Sequence, residues 1–257
     1  MTEHPPQHNH PEDRPPSPAA FADRAVAAME RHGPLCVGVD PHPGLLREWG
    51  LSDDPAGLAR FCEIAVEALA GHVAAIKPQA AFFERHGSAG VAVLEELLAE
   101  LARRHTLTVL DAKRGDIGTT MAAYAEATLA DGAPLAADAV TVSPYLGYGS
   151  LRPAIDLARR TGRGVFVLAL TSNPEGASVQ RRGEPTVAGT VASAAAADNT
   201  GARPCGPVGL VVGATGTDLP ADAGVDLAAL NGLLLAPGLG SQGGTPADLA
   251  RRFAAAP

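Results

Sequence analysis

Three cysteines, Cys36, Cys62 and Cys205, are too few and too far apart for a disulfide framework. Their odd number points to reduced thiols in a cytoplasm, and they lack the paired spacing of a zinc site. No apolar run approaches the roughly 18 residues that a membrane span needs. The N-terminus has no basic-then-apolar secretory pattern. Positive charge is also scarce. The formal net charge is −8, which argues against general nucleic-acid binding, because that needs a basic face to neutralise phosphates. A small anionic substrate stays compatible, since a local pocket can be positive on an acidic protein. At 257 residues, 46% hydrophobic and 19% charged, the chain has material for one soluble domain with a sizeable core.

Residues 1–19, MTEHPPQHNHPEDRPPSPA, hold proline and polar residues with almost nothing to bury, so a disordered tail is expected there. Metal chelation by His4, His8 and His10 is the weaker reading of that stretch. From 20 to 257, one domain alternates short apolar runs with Ala- and Leu-rich stretches. The candidate strands are 35–40, 73–78, 107–113, 138–143, 164–172, 208–215 and 232–238. Between them lie helix-like segments such as 57–72 and 90–105; in the latter, Val91, Leu94, Leu97, Leu98 and Leu101 make one apolar face. Strands apolar on both faces that alternate with helices mean parallel βαβ units. Seven in one unbroken series point to an α/β chain folded as a (β/α) barrel rather than an open doubly wound sheet. Nearly every predicted strand ends in something polar or sharply turning: Asp40-Pro41, Lys77-Pro78, Asp111 to Asp116, Ser143-Pro144, Thr171 to Pro174, Gly213 to Gly216 and Pro237 to Gly244. In a barrel all these ends meet at one face, where active sites are built.

The third strand and its exit, VLDAKRGDIGTT (109–120), carry the densest chemistry. Residues two apart on a strand share a face, so Asp111 and Lys113 point to the barrel axis if Val109 does. Asp116 lies past the strand, on a loop from which it reaches back or across a subunit boundary. Lys77 ends the neighbouring second strand. Together these residues make an acid–base array of Lys77, Asp111, Lys113 and Asp116. Carboxylates nearby favour the ionised form of a lysine, and a desolvated ammonium group donates protons and anchors developing negative charge. A structural ion-pair network is the competing reading. Burying four alternating charges is seldom favoured for stability alone, so the functional reading is preferred.

DAKRGDIGTT resembles the Asp-x-Lys-x-x-Asp signature of the orotidine 5′-phosphate decarboxylase family. The stretches CVGVDPH, AAIKPQAAFFERHG, VTVSPYLGYGSL, LTSNPEG and APGLGSQGGT resemble its bacterial type 2 subfamily, in order from Cys36 to Thr245. The resemblance implies a cofactor-free, metal-free (β/α)8 TIM-type barrel, a cytoplasmic homodimer with a shared active site. It further implies a lyase that converts orotidine 5′-phosphate to uridine 5′-phosphate and carbon dioxide in pyrimidine biosynthesis. By matching motif, Lys113 is the proton donor to C6 and Asp111 sits against the substrate carboxylate. Lys77 and Asp116 complete the array, with Asp116, Ile117 and Thr120 contributed by the partner subunit. Asp40 and Lys77 contact the ribose hydroxyls, Ser143 the pyrimidine edge, and Gln242 with the backbone of Gly243 the phosphate. The RGD at 114–116 is read as part of this loop rather than an adhesion motif. Tyr145 and Tyr148 are read as loop packing, and Asn173-Pro174 as a strand end or a ligand contact.

The chain departs from the family pattern after its seventh strand. An eighth strand, its phosphate-clamping arginine and the closing helix have no match, and Arg251 and Arg252 are read as the solvated end of a helix. The expectation is therefore a C-terminally incomplete barrel with two unpaired sheet edges. Two other functions stay in play. One is a magnesium-using sugar-phosphate decarboxylase or hexulose-phosphate synthase on a related barrel. The other is an inactive homologue that binds nucleotides.

Overall fold

The computed structural model describes residues 20–216, 218–240 and 242–256; the expected tail at 1–19 lies outside them. All seven expected strands form: β1 (Cys36–Val39), β2 (Ala75–Pro78), β3 (Leu107–Arg114), β4 (Ala139–Val142), β5 (Gly164–Leu170), β6 (Gly206–Val212) and β7 (Gly232–Leu235). Every neighbouring pair is parallel, in the order β1-β2-β3-β4-β5-β6-β7. Helices intervene: α1 (Phe21–His32), α2 (Pro43–Glu48), α3 (Pro55–Leu69), α4 (Ala81–Glu84), α5 (Gly87–Arg103), α6 (Gly118–Leu129), α7 (Arg152–Thr161), α8 (Ala177–Gln180), α9 (Val187–Asp198) and α10 (Pro246–Arg252). The two longest, α3 and α5, fall on the predicted segments. Asp54 caps α3 by accepting the Gly57 N–H at 2.8 Å, and Pro55 occupies the first turn, where no N–H is needed.

Side-chain parity shows how the sheet curls. Leu107 and Val109 of β3, Ala139 of β4, Phe166 of β5, Val211 of β6 and Leu235 of β7 pack into one cluster with Phe21 and Ala25 of α1. Their strand neighbours Leu110, Val140, Val165, Val167, Leu210 and Val212 face the other way, into the larger core under the outer helices. An inner and an outer apolar layer on one curved parallel sheet is the (β/α)-barrel arrangement. Helix α1 plugs the end of the barrel where the strands begin. Phe21 meets Phe166 edge-on at 6.0 Å. Arg24 pairs with Asp138, whose carboxylate also accepts the Thr108 N–H at 2.8 Å. Among the described residues β1 and β7 do not pair with each other, so the barrel stays open there.

The parity matters for function. Asp111 and Lys113 continue the inward series of Leu107 and Val109, so the same strand that lines the apolar interior carries charge to the mouth.

Candidate active site

Asp111 is buried at the mouth and accepts four hydrogen bonds, two on each carboxylate oxygen. Lys77 Nζ and Gln79 Nε2 each donate to Oδ2 at 3.1 Å. Lys113 Nζ donates to Oδ1 at 2.6 Å, and Thr141 Oγ1 does so at 2.7 Å. Burial alone would raise the Asp111 pKa; the Lys77 charge, followed by the Lys113 and Thr141 contacts, outweighs burial and holds it below the ordinary carboxylate value. Asp40 joins at 3.8 Å from Lys77 Nζ, and its Oδ1 is buried with no hydrogen-bond partner. The charges are thus connected as Asp40–Lys77–Asp111–Lys113. Cys36, on β1 beside this group, is a bystander: burial pushes its thiol up to about 11, which keeps it neutral near pH 7.

The strand is not regular where the chemistry is densest. Lys113 has φ of 48°, in the left-handed region that a side chain rarely adopts, and the β3–β4 register shifts between Leu110 and Arg114. Its N–H is held by Thr141 Oγ1 at 3.0 Å. A regular strand through residue 113 was expected from the sequence; this local twist is the difference. Next to it, Gly115 lies so close to β4 that a Cβ there would stand 2.3 Å from the Ser143 carbonyl oxygen. Gly115→Ala is expected to destabilise the fold by about 1–3 kcal/mol and to lower turnover by displacing Lys113. Urea denaturation beside a rate assay checks both.

The other expected site residues are placed less centrally. Asp116 accepts its neighbour Ile117's N–H at 2.7 Å, and no ion pair joins it to the lysines of its own chain among the described residues. Ile117 is 62% exposed, and Thr120 is exposed. Ser143 donates its N–H to the Arg114 carbonyl at 2.7 Å. Gln242 and Gly243 are exposed on the loop after β7, which folds back on itself through Gly244 N–H to Gly238 O at 2.8 Å. Gly243 donates its own N–H to Gly240 O at 2.8 Å, so it shapes that loop. Asn173 and Thr171 bond at 2.6 Å within the turn after β5, as a strand end would. Arg114 pairs with Glu84 and lies over the Tyr124 ring, so the RGD stretch is absorbed by the barrel.

Two readings need correction. Arg252 is not at a solvated helix end: it is buried, with Nε donating to Gly213 O at 3.0 Å. The short α10 turns its last residue under the loop after β6, and backbone carbonyls there replace water. Tyr145 is not packed either; it is 80% exposed beside half-exposed Leu146. Tyr148 does anchor the segment, donating to Asp198 Oδ2 at 2.7 Å where Arg152 and Arg159 also converge.

The motif left two members of the array unmarked, Gln79 and Thr141. Their signal was parity: Gln79 follows Lys77 by two, and Thr141 is a polar residue at an inward position of an apolar strand. A second signal is compositional. Lys77 and Lys113 are the chain's two lysines; every other strongly basic residue is arginine. Arginine substitutes for lysine wherever a fixed charge is enough, but only an ammonium group can give up its proton readily.

The model of the orotidine 5′-phosphate decarboxylase / HUMPS family matches residues 33–256. The chain belongs to that family. The orotidine 5′-phosphate decarboxylase of Streptomyces coelicolor is 60% identical over 240 residues, which span 92% of this chain and 84% of the relative. A crystal structure from Streptomyces avermitilis, assigned to the same decarboxylase, superposes with a TM-score of 0.88 at 59% identity and covers 93% of this chain and 84% of that one. The Leishmania donovani orotidine 5′-phosphate decarboxylase superposes at 0.69 with 33% identity, covering 92% and 84%. The family shares the (β/α) barrel, and the charged array of this member stands at the strand ends where such barrels do chemistry.

Proposed function

We propose that the chain decarboxylates orotidine 5′-phosphate to uridine 5′-phosphate and carbon dioxide, a step of pyrimidine biosynthesis, with Lys113 protonating C6. The observation that carries this reading is the Lys77–Asp111–Lys113 chain of contacts, at 3.1 and 2.6 Å, at the barrel mouth. The bond from C6 to the carboxylate breaks, its electron pair stays on C6, and carbon dioxide leaves. A fixed ammonium where that charge forms stabilises the transition state more than the ground state. Lys113 then gives its proton to C6 and regains one from solvent. Asp111 fixes Lys113 in place and stands against the departing carboxylate.

The remaining residues serve binding. Asp40 Oδ1, which has no hydrogen-bond partner and only the longer ion pair to Lys77, suits a ribose hydroxyl donor. Ser143 is assigned to the pyrimidine edge, and Gln242 with the loop at 238–244 to the phosphate, whose binding energy helps align the reacting ring. No step in this scheme uses a metal or cofactor. We assign Asp116, Ile117 and Thr120 to the site of a second subunit. Supporting a dimer, Ile117, Tyr145 and Leu146 form exposed apolar surface around the mouth, a feature of interfaces.

Turnover of orotidine 5′-phosphate by the purified chain, unchanged by a metal chelator, is the expected result. Loss of activity with chelator, or turnover of a sugar phosphate instead, would favour the magnesium-dependent reading. Nucleotide binding without turnover would identify an inactive homologue. For the shared site, inactive Lys113→Ala and Asp116→Asn proteins should regain turnover when mixed, because a hybrid dimer assembles one intact site. No recovery after subunit exchange would place each site within one chain.

A further inference from the structure

Arg252 closes α10 and is 5% exposed. Besides Gly213 O, it donates from Nη1 to Gly216 O at 3.2 Å and to the Asp218 carbonyl. No carboxylate pairs with it among the described residues; Asp218 pairs instead with Arg181 at 3.3 Å, and Asp248 with Arg251 at 3.3 Å. A buried cation held only by neutral carbonyls is costly. Desolvation, with Arg251 and Arg181 close by, holds the Arg252 pKa below the ordinary arginine value despite Asp218 and Asp248. The guanidinium is therefore short of negative charge where it sits.

Its place in the fold suggests what supplies that charge. The carbonyls it grips, those of Gly213, Gly216 and Asp218, belong to the segment after β6. That segment packs against the loop after β7: Ala214 N–H donates to Pro237 O at 2.8 Å, and a Cβ on Gly238 would stand 3.2 Å from Thr215 Cγ2. The β7 loop in turn leads directly into α10, which Thr245 caps by accepting the Asp248 N–H at 3.2 Å. Arg252 thus ties the far end of α10 back to the segment that supports the loop at its start. The buried positive charge grips the turn after β6, and that turn packs against the glycine-rich turn after β7.

We propose that Arg252 is a positioning residue for the anionic end of the substrate. It holds the turn at 213–216 against the glycine-rich loop after β7 and places behind them a positive charge that a bound phosphate neutralises. The inference rests on the phosphate reading of the 238–244 loop.

The test compares Arg252→Met, which keeps bulk and loses charge, with Arg252→Lys, which keeps charge. For Arg252→Met, KM for orotidine 5′-phosphate should rise about tenfold or more while kcat changes little. Inhibition by uridine 5′-phosphate should weaken in parallel and inhibition by uridine should not. Arg252→Lys should recover most of the KM. Equal weakening of nucleotide and nucleoside, or an unchanged KM, would overturn the proposal and leave Arg252 a structural clasp. If Arg252→Met fails to fold, the wild-type protein decides. The Nε–H resonance of Arg252, identified by its loss in Arg252→Lys, should shift on adding uridine 5′-phosphate and not on adding uridine. A response to neither or to both would overturn it. The phosphate reading fails separately: wild-type protein that binds uridine as tightly as its 5′-phosphate would remove that reading before any variant is made.

Discussion

Lys113→Ala is expected to lower kcat for orotidine 5′-phosphate by on the order of 10⁴-fold or more, with uridine 5′-phosphate still bound. Two effects are removed together. Loss of a positioned proton donor costs about 10²–10⁴-fold, and loss of a fixed charge at a developing anion costs about 10²–10³-fold. The two are not independent, so their product is an upper bound. Because the Lys113 side chain is 44% exposed, its removal leaves no large cavity, and the variant should melt close to the wild-type temperature. Single-turnover kinetics with product-binding titration separates chemistry from binding. A kcat within tenfold of wild type would assign the proton to another group and end the mechanism proposed above.

Asp111→Asn should damage both chemistry and stability. The side chain receives two ammonium groups, an amide and a hydroxyl. With its charge gone, Lys77 is left as a largely buried cation with the partly exposed Asp40 at 3.8 Å as its remaining carboxylate, and Lys113 loses the anchor that holds its Nζ. Removing one partner of a buried ion pair costs about 3–5 kcal/mol; the lower end applies, since Lys113 is partly solvated and screened. Turnover should fall at least about 10²-fold through misplacement of Lys113 alone. The pH dependence has a definite sign. The folded Asp111 pKa is lowered, so its contribution is fully present above the unfolded value of about 3.9. That contribution disappears as pH falls from there through the lower folded value. Urea midpoints measured from pH 7 down to pH 3 should therefore converge between wild type and Asp111→Asn as acid is added. A constant gap across that range would show that Asp111 does not stabilise the fold through its charge.

Much of the barrel was legible in the order of residues. Seven apolar runs, each with helical text between, specify parallel strands because a strand buried on both faces has no polar side to show. Strand ends moved by only a few residues, since hydrogen bonds rather than hydropathy decide where pairing stops. Asp111 and Lys113 were legible for a related reason: charge at inward parity on an apolar strand is too costly to be incidental. The restriction of lysine to positions 77 and 113 belongs with these signals.

What the order of residues could not decide was contact across strands. Gln79 and Thr141 look like ordinary polar residues until β2 and β4 flank β3 and bring both to one carboxylate. The left-handed twist at Lys113 arises from pairing on β4, which no local propensity encodes. Arg252 shows the same limit in reverse. Its position in the last turn of a short charged helix predicts solvent, but the carbonyls after β6 that bury it are more than thirty residues earlier in the chain. Composition and periodicity determine which layers form, because burial depends on each residue's own polarity. Which polar groups meet at the mouth depends on strand register and loop packing, and only the tertiary structure decides that.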